Sequence, residues 1–278
     1  MKKLYVTDLD GTLLDKNATV PAESVKMLCE LDAHGVPFTY ATARTIESVR
    51  HILAHVPVKY PVALMNGVLI CDVADGEKYL SAAYFKDGDF EAVRKTLAEC
   101  DVSPFMYFLD GEKLRVCYEK ISNEYMENFM AERVKKYNKP FICLEKGVDY
   151  PGRPIYFAAM DSEDKIRRAN EMCLKLAGIK TACYRDSYCP EFWYLEVFDE
   201  AASKKNAVAQ IKKLTGAEEI ISFGDNYNDL PMFEVSDACY AAEGAPDGVK
   251  AAADGVFGLP EMAGVPKKIA ELEGITLA

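Results

Sequence analysis

Four short segments carry residue types suited to work on a charged ligand. The first, Asp8-Leu9-Asp10-Gly11-Thr12, places two carboxylates two residues apart directly after a short apolar run. Residues two apart on a strand share a face, so both carboxylates can enter one space, and Gly11 lets the chain turn sharply beyond them. The second, Gly224-Asp225-Asn226-Tyr227-Asn228-Asp229, again ends an apolar run in acid. Hard cations such as Mg2+ take oxygen ligands and keep waters beside one or two carboxylates. Asp8 and Asp225 with a main-chain carbonyl would meet that need. The third, Thr42-Ala43-Arg44, sets a hydroxyl near a helix start, where free N–H groups suit phosphate. The fourth is Lys204 in Ser203-Lys204-Lys205, a cation able to offset phosphate charge. Each segment alone has a plainer reading: an acidic turn, a helix-capping loop, an N-cap, a surface lysine. Their joint occurrence is far more specific.

The surrounding pattern must position these segments. Residues 4–7 form a short apolar run bounded by acid, which suits a strand buried on both faces of a parallel sheet. Val25, Leu28 and Leu31 recur at helical spacing, and Gly35 follows as a stop. Residues 37–41 read as a second strand and 61–65 as a third. Between them Thr45 is the expected cap of a helix with Ile46, Val49, Ile52, Leu53 and Val56 on one face. This β-α-β-α-β order predicts a doubly wound, Rossmann-like α/β sheet, which binds ligands beyond the carboxyl ends of its strands. All four segments lie at strand-to-helix transitions.

The pattern changes near residue 84. A helix is expected over 89–100, then strands over 105–109 and 113–118 flanking Asp110-Gly111, a strong hairpin signal. A helix over 122–137, a strand over 154–160, a helix over 163–176 capped by Ser162, and a strand over 181–184 follow. Hairpins mixed with helices predict an α+β module with an antiparallel sheet. Alternation returns after Trp193, with strands at 194–198, 219–223 and 238–242 and helices at 203–214, 230–235 and 247–253. The expected organisation is a discontinuous α/β core, residues 1–83 and 193–278, interrupted by an inserted α+β cap at 84–192.

The length of 278 residues suits roughly two domains and ample core. With 33 basic and 44 acidic residues the net charge is −11. That balance argues against general nucleic-acid binding and against attraction to anionic membrane, since both need clustered cations. A small phosphorylated metabolite remains compatible, because a local cation overrides the global sign. The nine cysteines are scattered, with no C-x-x-C pair and no close histidine, as expected of reduced thiols in a cytoplasmic protein without a zinc site. The four mainly apolar residues before Asp8 are too few for a signal-peptide core, and the longest apolar stretch, 60–71, is too short for a membrane span. No G-x-G-x-x-G follows a strand, which disfavours a dinucleotide-dependent oxidoreductase.

In their order, DxDGT, T-x-R, Lys and GDxxND, the four segments make the chain resemble the haloacid dehalogenase superfamily of phosphatases, and more narrowly its Cof-type subgroup with a C2B cap. The likeness is strong over 8–14 and 224–232, good around 42–44 and 66–67, and weak across the inserted module. It implies that Asp8 is the nucleophile that forms an aspartyl-phosphate, and that Asp10 is general acid and then base, a role needing a carboxyl able to hold a proton. It implies Mg2+ held by Asp8, the Asp10 carbonyl and Asp225, with Asp229 holding a metal-bound water or orienting Lys204. Thr42, Arg44, Lys204, Asn228 and the amides of Leu9 and Ala43 would bind the phosphoryl group and substrate. Substrate choice would involve Asn66 and Gly67, together with Tyr184-Arg185-Asp186-Ser187-Tyr188, where Arg185 is suited to a second anionic group. Three departures stand out: Ala43 replaces a usual glycine, Lys205 another, and Glu243-Gly244-Ala245 replaces Gly-Asn-Ala. The expected function is a Mg2+-dependent phosphatase acting on small phosphomonoesters, such as sugar phosphates or phosphorylated cofactors. The alternatives are a phosphomutase of the same superfamily and a non-catalytic phosphometabolite-binding regulatory protein.

Overall fold

The computed structural model describes residues 2–145, 149–185 and 191–277. The chain divides into two compact units, Met1–Ser81 with Ser203–Ala278, and Ala82–Ala202.

The first unit is built on a five-stranded parallel sheet in the order Gly255–Phe257, Ala238–Ala242, Glu219–Gly224, Lys3–Thr7, Phe38–Tyr40. Leu4, Tyr5 and Val6 are completely buried, as a strand covered on both faces requires. Register places the chemistry: Thr7 lies opposite both Phe223 and Tyr40, so the segments after all three strands leave the sheet at the same edge. The expected third strand, Val62–Leu64, joins through a parallel bridge between Ala41 and Ala63. It also pairs antiparallel with Leu69–Asp72, which neighbours Lys78–Ala82, two strands the sequence pattern did not suggest. Helix Lys204–Thr215 turns Lys204, Ala207, Val208 and Ile211 inward, one face of a 3.6-residue repeat. Burying Val208 and Ile211 against Leu4, Val6 and Ile220 is worth about 1.5–3 kcal/mol per side chain. That packing fixes the helix whose first residue is Lys204.

The second unit holds a six-stranded sheet in the order Ile179–Arg185, Trp193–Asp199, Arg153–Asp161, Pro104–Asp110, Lys113–Tyr118, Phe141–Cys143. Helices Asp89–Glu99 and Glu163–Cys173 supply Phe90, Val93, Leu97, Ile166 and Ala169 to the same core as Met106, Phe108, Phe157, Leu195 and Val197. One expectation is corrected here. The strand over 194–198, assigned to the parallel core, runs antiparallel between Arg153–Asp161 and Ile179–Arg185. Its period-two pattern explains this: Leu195 and Val197 enter the aromatic core of this unit while Tyr194, Glu196 and Phe198 take the other face. Among the described residues, no helix is long and apolar enough to cross a membrane.

Candidate active site

Asp8 follows the Lys3–Thr7 strand directly, and its N–H donates to the Phe223 carbonyl at 2.9 Å, extending the sheet by one bond. The chain then curls: the Leu9 carbonyl accepts from the N–H groups of Thr12, Leu13 and Leu14 at 3.2, 3.0 and 2.8 Å. Gly11 has φ +77°, and a Cβ there would run into the Asp225 carboxylate. The turn therefore needs glycine twice, for its backbone and for the close approach of Asp225. Thr12 uses that approach, its hydroxyl donating to Asp225 Oδ1 at 2.9 Å.

Lys204 is the centre of charge. Ser203 caps the helix by accepting from the Asn206 N–H at 3.0 Å, and the next side chain, Lys204, is 2% exposed. Its Nζ donates to Asp8 Oδ1 at 2.5 Å and to Asp229 Oδ1 at 2.6 Å. Asp229 Oδ2 accepts from the N–H groups of Asp225 and Asn226 at 2.9 and 3.1 Å. Both oxygens of Asp229 thus serve to hold Lys204 and the Asp225 loop. Lys205, the next residue, points to the surface and pairs with Glu234 at 2.7 Å.

The carboxylate oxygens of Asp8, Asp225 and Asp229 lie within 4.8 Å of one another. Three acids face one lysine, so negative charge is in excess. Burial, with the neighbouring carboxylates and against the pull of Lys204, raises the Asp8 carboxyl well above its usual range. Burial and the charge of Asp229 push Asp225 up to about 7. An all-oxygen, overcharged donor set of this kind suits a hard dication, which would relieve the repulsion. Among the described residues the hydrogen bonds to Asp8 and Asp225 use only Oδ1 of each, which leaves the second oxygens as ligand atoms for an ion.

The Thr42–Arg44 loop lies beside this cluster's edge of the sheet. Its backbone is tied down on several sides: the Thr42 N–H donates to Ala63, while the carbonyls of Thr42 and Arg44 accept from Asn66 and Met65 at 3.0 and 3.1 Å. Thr42 is fully buried, and its hydroxyl accepts from the Arg44 N–H at 3.2 Å. Ala43 does not take a positive φ, so its Cβ is accommodated without backbone strain. Among the described residues the N–H groups of Leu9 and Ala43 have no hydrogen-bond partner, although Leu9 is completely buried. Unpaired buried donors are costly and call for an acceptor.

Several expectations shift. The Asp10 carboxylate is not one of the three clustered acids: half exposed, it adds its charge to Asp8 and Asp225 from nearby and is gripped by Arg44 through Nε–Oδ2 at 2.8 Å and Nη2–Oδ1 at 2.6 Å. Arg44, read as a substrate ligand, spends its guanidinium on Asp10 and on Ser48 Oγ at 3.1 Å. Gly67, also read as a substrate contact, has φ +88°, and a Cβ there would run into the Ser203 carbonyl. It seats the Met65–Gly67 turn against the start of the Lys204 helix. Asn66 is buried in that turn with φ 56°, and Asn228 is exposed on the turn after Asp225. Thr45 precedes its helix without a side-chain cap. Arg185 is exposed at the end of a strand in the second unit, and Asp186, Ser187 and Tyr188 lie outside the described residues. The sequence missed the Asp10–Arg44 pair, whose only sign was a lone arginine after a strand.

The profile of the haloacid dehalogenase-like hydrolases matches residues 5–269. The chain is 28% identical over 242 residues to the putative phosphatase YxeH of Bacillus subtilis, covering 84% of each chain. It is 26% identical over 275 residues to the 5-amino-6-(5-phospho-D-ribitylamino)uracil phosphatase YwtE of the same organism, covering 89% of this chain and 90% of that one. A haloacid dehalogenase-like hydrolase from Bacteroides thetaiotaomicron shares the fold with a TM-score of 0.77 at 19% identity, over 98% of this chain and 100% of that one. Strand register, acid cluster and profile therefore agree, and the chain belongs to the haloacid dehalogenase-like hydrolase family, alongside its Cof-type phosphatases.

Proposed function

We propose that the chain is a Mg2+-dependent phosphatase that hydrolyses small phosphomonoesters through a phosphoryl group carried on Asp8. The observation that carries this reading is the buried Asp8–Lys204–Asp229 chain with Asp225 beside it and the unpaired Leu9 and Ala43 amides nearby. Asp8, Asp225 and the Asp10 carbonyl would hold the ion, with Asp229 fixing the loop around it. When bound, Mg2+ supplies positive charge that ionises the acids and offsets the phosphoryl charge.

The residues then divide the work. Asp8 attacks phosphorus through a carboxylate oxygen, and the bond from phosphorus to the ester oxygen breaks. The departing oxygen takes a proton from Asp10. Water next attacks the phosphoryl group on Asp8 while Asp10 accepts its proton, which frees Asp8 and inorganic phosphate. Lys204 stays charged throughout, since its two carboxylates raise its pKa against the effect of burial. It neutralises charge building on the transferred group, and the Leu9 and Ala43 amides with Thr42 bind that group's oxygens. The inserted unit, around 82–202, is the candidate cap that selects the leaving group. The name of the relative YwtE, a phosphatase for a ribityl phosphate, supports sugar- or polyol-type phosphomonoesters as the substrate class.

The test is a phosphoester panel assayed for inorganic phosphate with Mg2+ and with EDTA, alongside Asp8→Asn. Release that needs the ion and falls by more than about 10³-fold in the variant is the expected result. Isomerised sugar phosphate without release would make the chain a mutase. Tight ligand binding without turnover across the panel would make it a binding protein.

A further inference from the structure

The Asp10–Arg44 pair has a geometry that phosphate binding does not explain. Asp10 lies three residues past the strand end at Thr7, precedes a glycine at φ +77°, and has a side chain 50% exposed. Packing therefore does little to fix its rotamer. Arg44 is the anchored partner. Its side chain is 20% exposed, its N–H donates to Thr42 Oγ1, its carbonyl accepts from Met65, and Nη1 donates to Ser48 on the following helix. Nε and Nη2 then meet the two Asp10 oxygens as a fork, at 2.8 and 2.6 Å. Such a bidentate pair fixes both position and plane of a carboxyl group, which a lysine point charge does not.

We propose that Arg44 is a positioning residue, whose fork on Asp10 sets where that carboxyl meets the departing ester oxygen, and that it is not a ligand of the phosphate. This rests on the acid–base role given to Asp10 above. A general acid must come within hydrogen-bond reach of the atom it protonates, and misplacement by about 1 Å costs about 10²-fold. With Nε and Nη2 on Asp10 and Nη1 on Ser48, Arg44 presents its donors to the acid, while the unpaired amides of Leu9 and Ala43 are the donors left for the phosphoryl oxygens.

Leaving-group dependence tests this. An alkyl phosphate needs a proton on its departing oxygen, whereas p-nitrophenyl phosphate leaves without one. Arg44→Lys, Arg44→Ala and Asp10→Asn are compared on both substrates with Mg2+. Asp10→Asn is the reference: since losing its base role slows the later hydrolysis on Asp8 equally for both esters, the readout is the first-turnover rate of leaving-group release, which should fall by about 10²-fold for the alkyl ester and by under about threefold for the nitrophenyl ester. Arg44→Lys should show the same split with KM nearly unchanged, and added guanidinium should restore part of the alkyl turnover of Arg44→Ala. Unchanged melting of Arg44→Lys checks the fold, and the split within one variant is insensitive to how much protein is active. A rise in KM shared by both esters, or an equal fall in the first-turnover rate on both, overturns the proposal. Absence of the split in Asp10→Asn itself would instead remove the acid role on which it rests.

Discussion

Asp225→Asn should stabilise the metal-free protein while removing its ability to use Mg2+. The Asp225 carboxyl is held up at about 7 against a reference of 3.8, through burial first and the charge of Asp229 second. A raised carboxyl pKa means that the folded state holds the proton longer than the unfolded chain does. As pH rises from 3.8, the unfolded chain releases the proton first, so stability falls until about 7 and is level above it. Three units at about 1.4 kcal/mol each put the cost near 4 kcal/mol at pH 8. Asparagine carries no charge, and its Oδ1 can still accept from Thr12, so it removes this cost and leaves the turn in place. The assay is denaturant unfolding of both proteins in EDTA from pH 4 to 8, repeated with Mg2+. The variant's advantage should be absent near pH 4, grow to its full size by pH 7, and shrink or reverse when Mg2+ stabilises the wild type alone. A variant that is equally or less stable at pH 8 in EDTA, or an advantage independent of pH, would refute the charge-excess argument.

Other outcomes follow from the same geometry. Lys204→Met strips the cation from Asp8 and Asp229 and should cost about 3–5 kcal/mol near neutral pH in EDTA, with the loss shrinking in acid as the carboxyls protonate. Lys205→Ala, which removes an exposed pair with Glu234, should change stability by less than about 1 kcal/mol and leave turnover intact. Gly67→Ala should cost more than about 1 kcal/mol, because φ is +88° and the Ser203 carbonyl stands in the way, and it should lower kcat by shifting Lys204. Chelation should abolish turnover, and the apparent Mg2+ affinity should rise with pH through about 7, since the ion must displace the Asp225 proton.

Asp8 and Asp225 were readable because each directly follows an apolar strand, and the parallel register that aligns Thr7 with Phe223 and Tyr40 turns that local feature into a shared edge. Lys204 was separable from Lys205 by one residue of register, set by the Ser203 cap. What stayed hidden depended on distance through space. Nothing local marks Arg44 as the partner of Asp10, 34 residues away. Gly67 looked like a ligand contact because its role, clearance for the Ser203 carbonyl, belongs to an element far along the chain. The strand Trp193–Asp199 was misplaced for a similar reason. A short apolar run fits either sheet, and only the inward alternation of Leu195 and Val197 against Phe157 and Met106 decides between them.

The central claim is that the phosphoryl group passes through Asp8. Rapid acid quench of turnover with a phosphorus-labelled substrate and Mg2+, followed by peptide mapping, tests it most directly. Label on the peptide bearing Asp8, released by hydroxylamine and absent from Asp8→Asn, is the predicted result. Phosphate released at the full rate with no label on Asp8 at any quench time, together with turnover retained in Asp8→Asn, would contradict it.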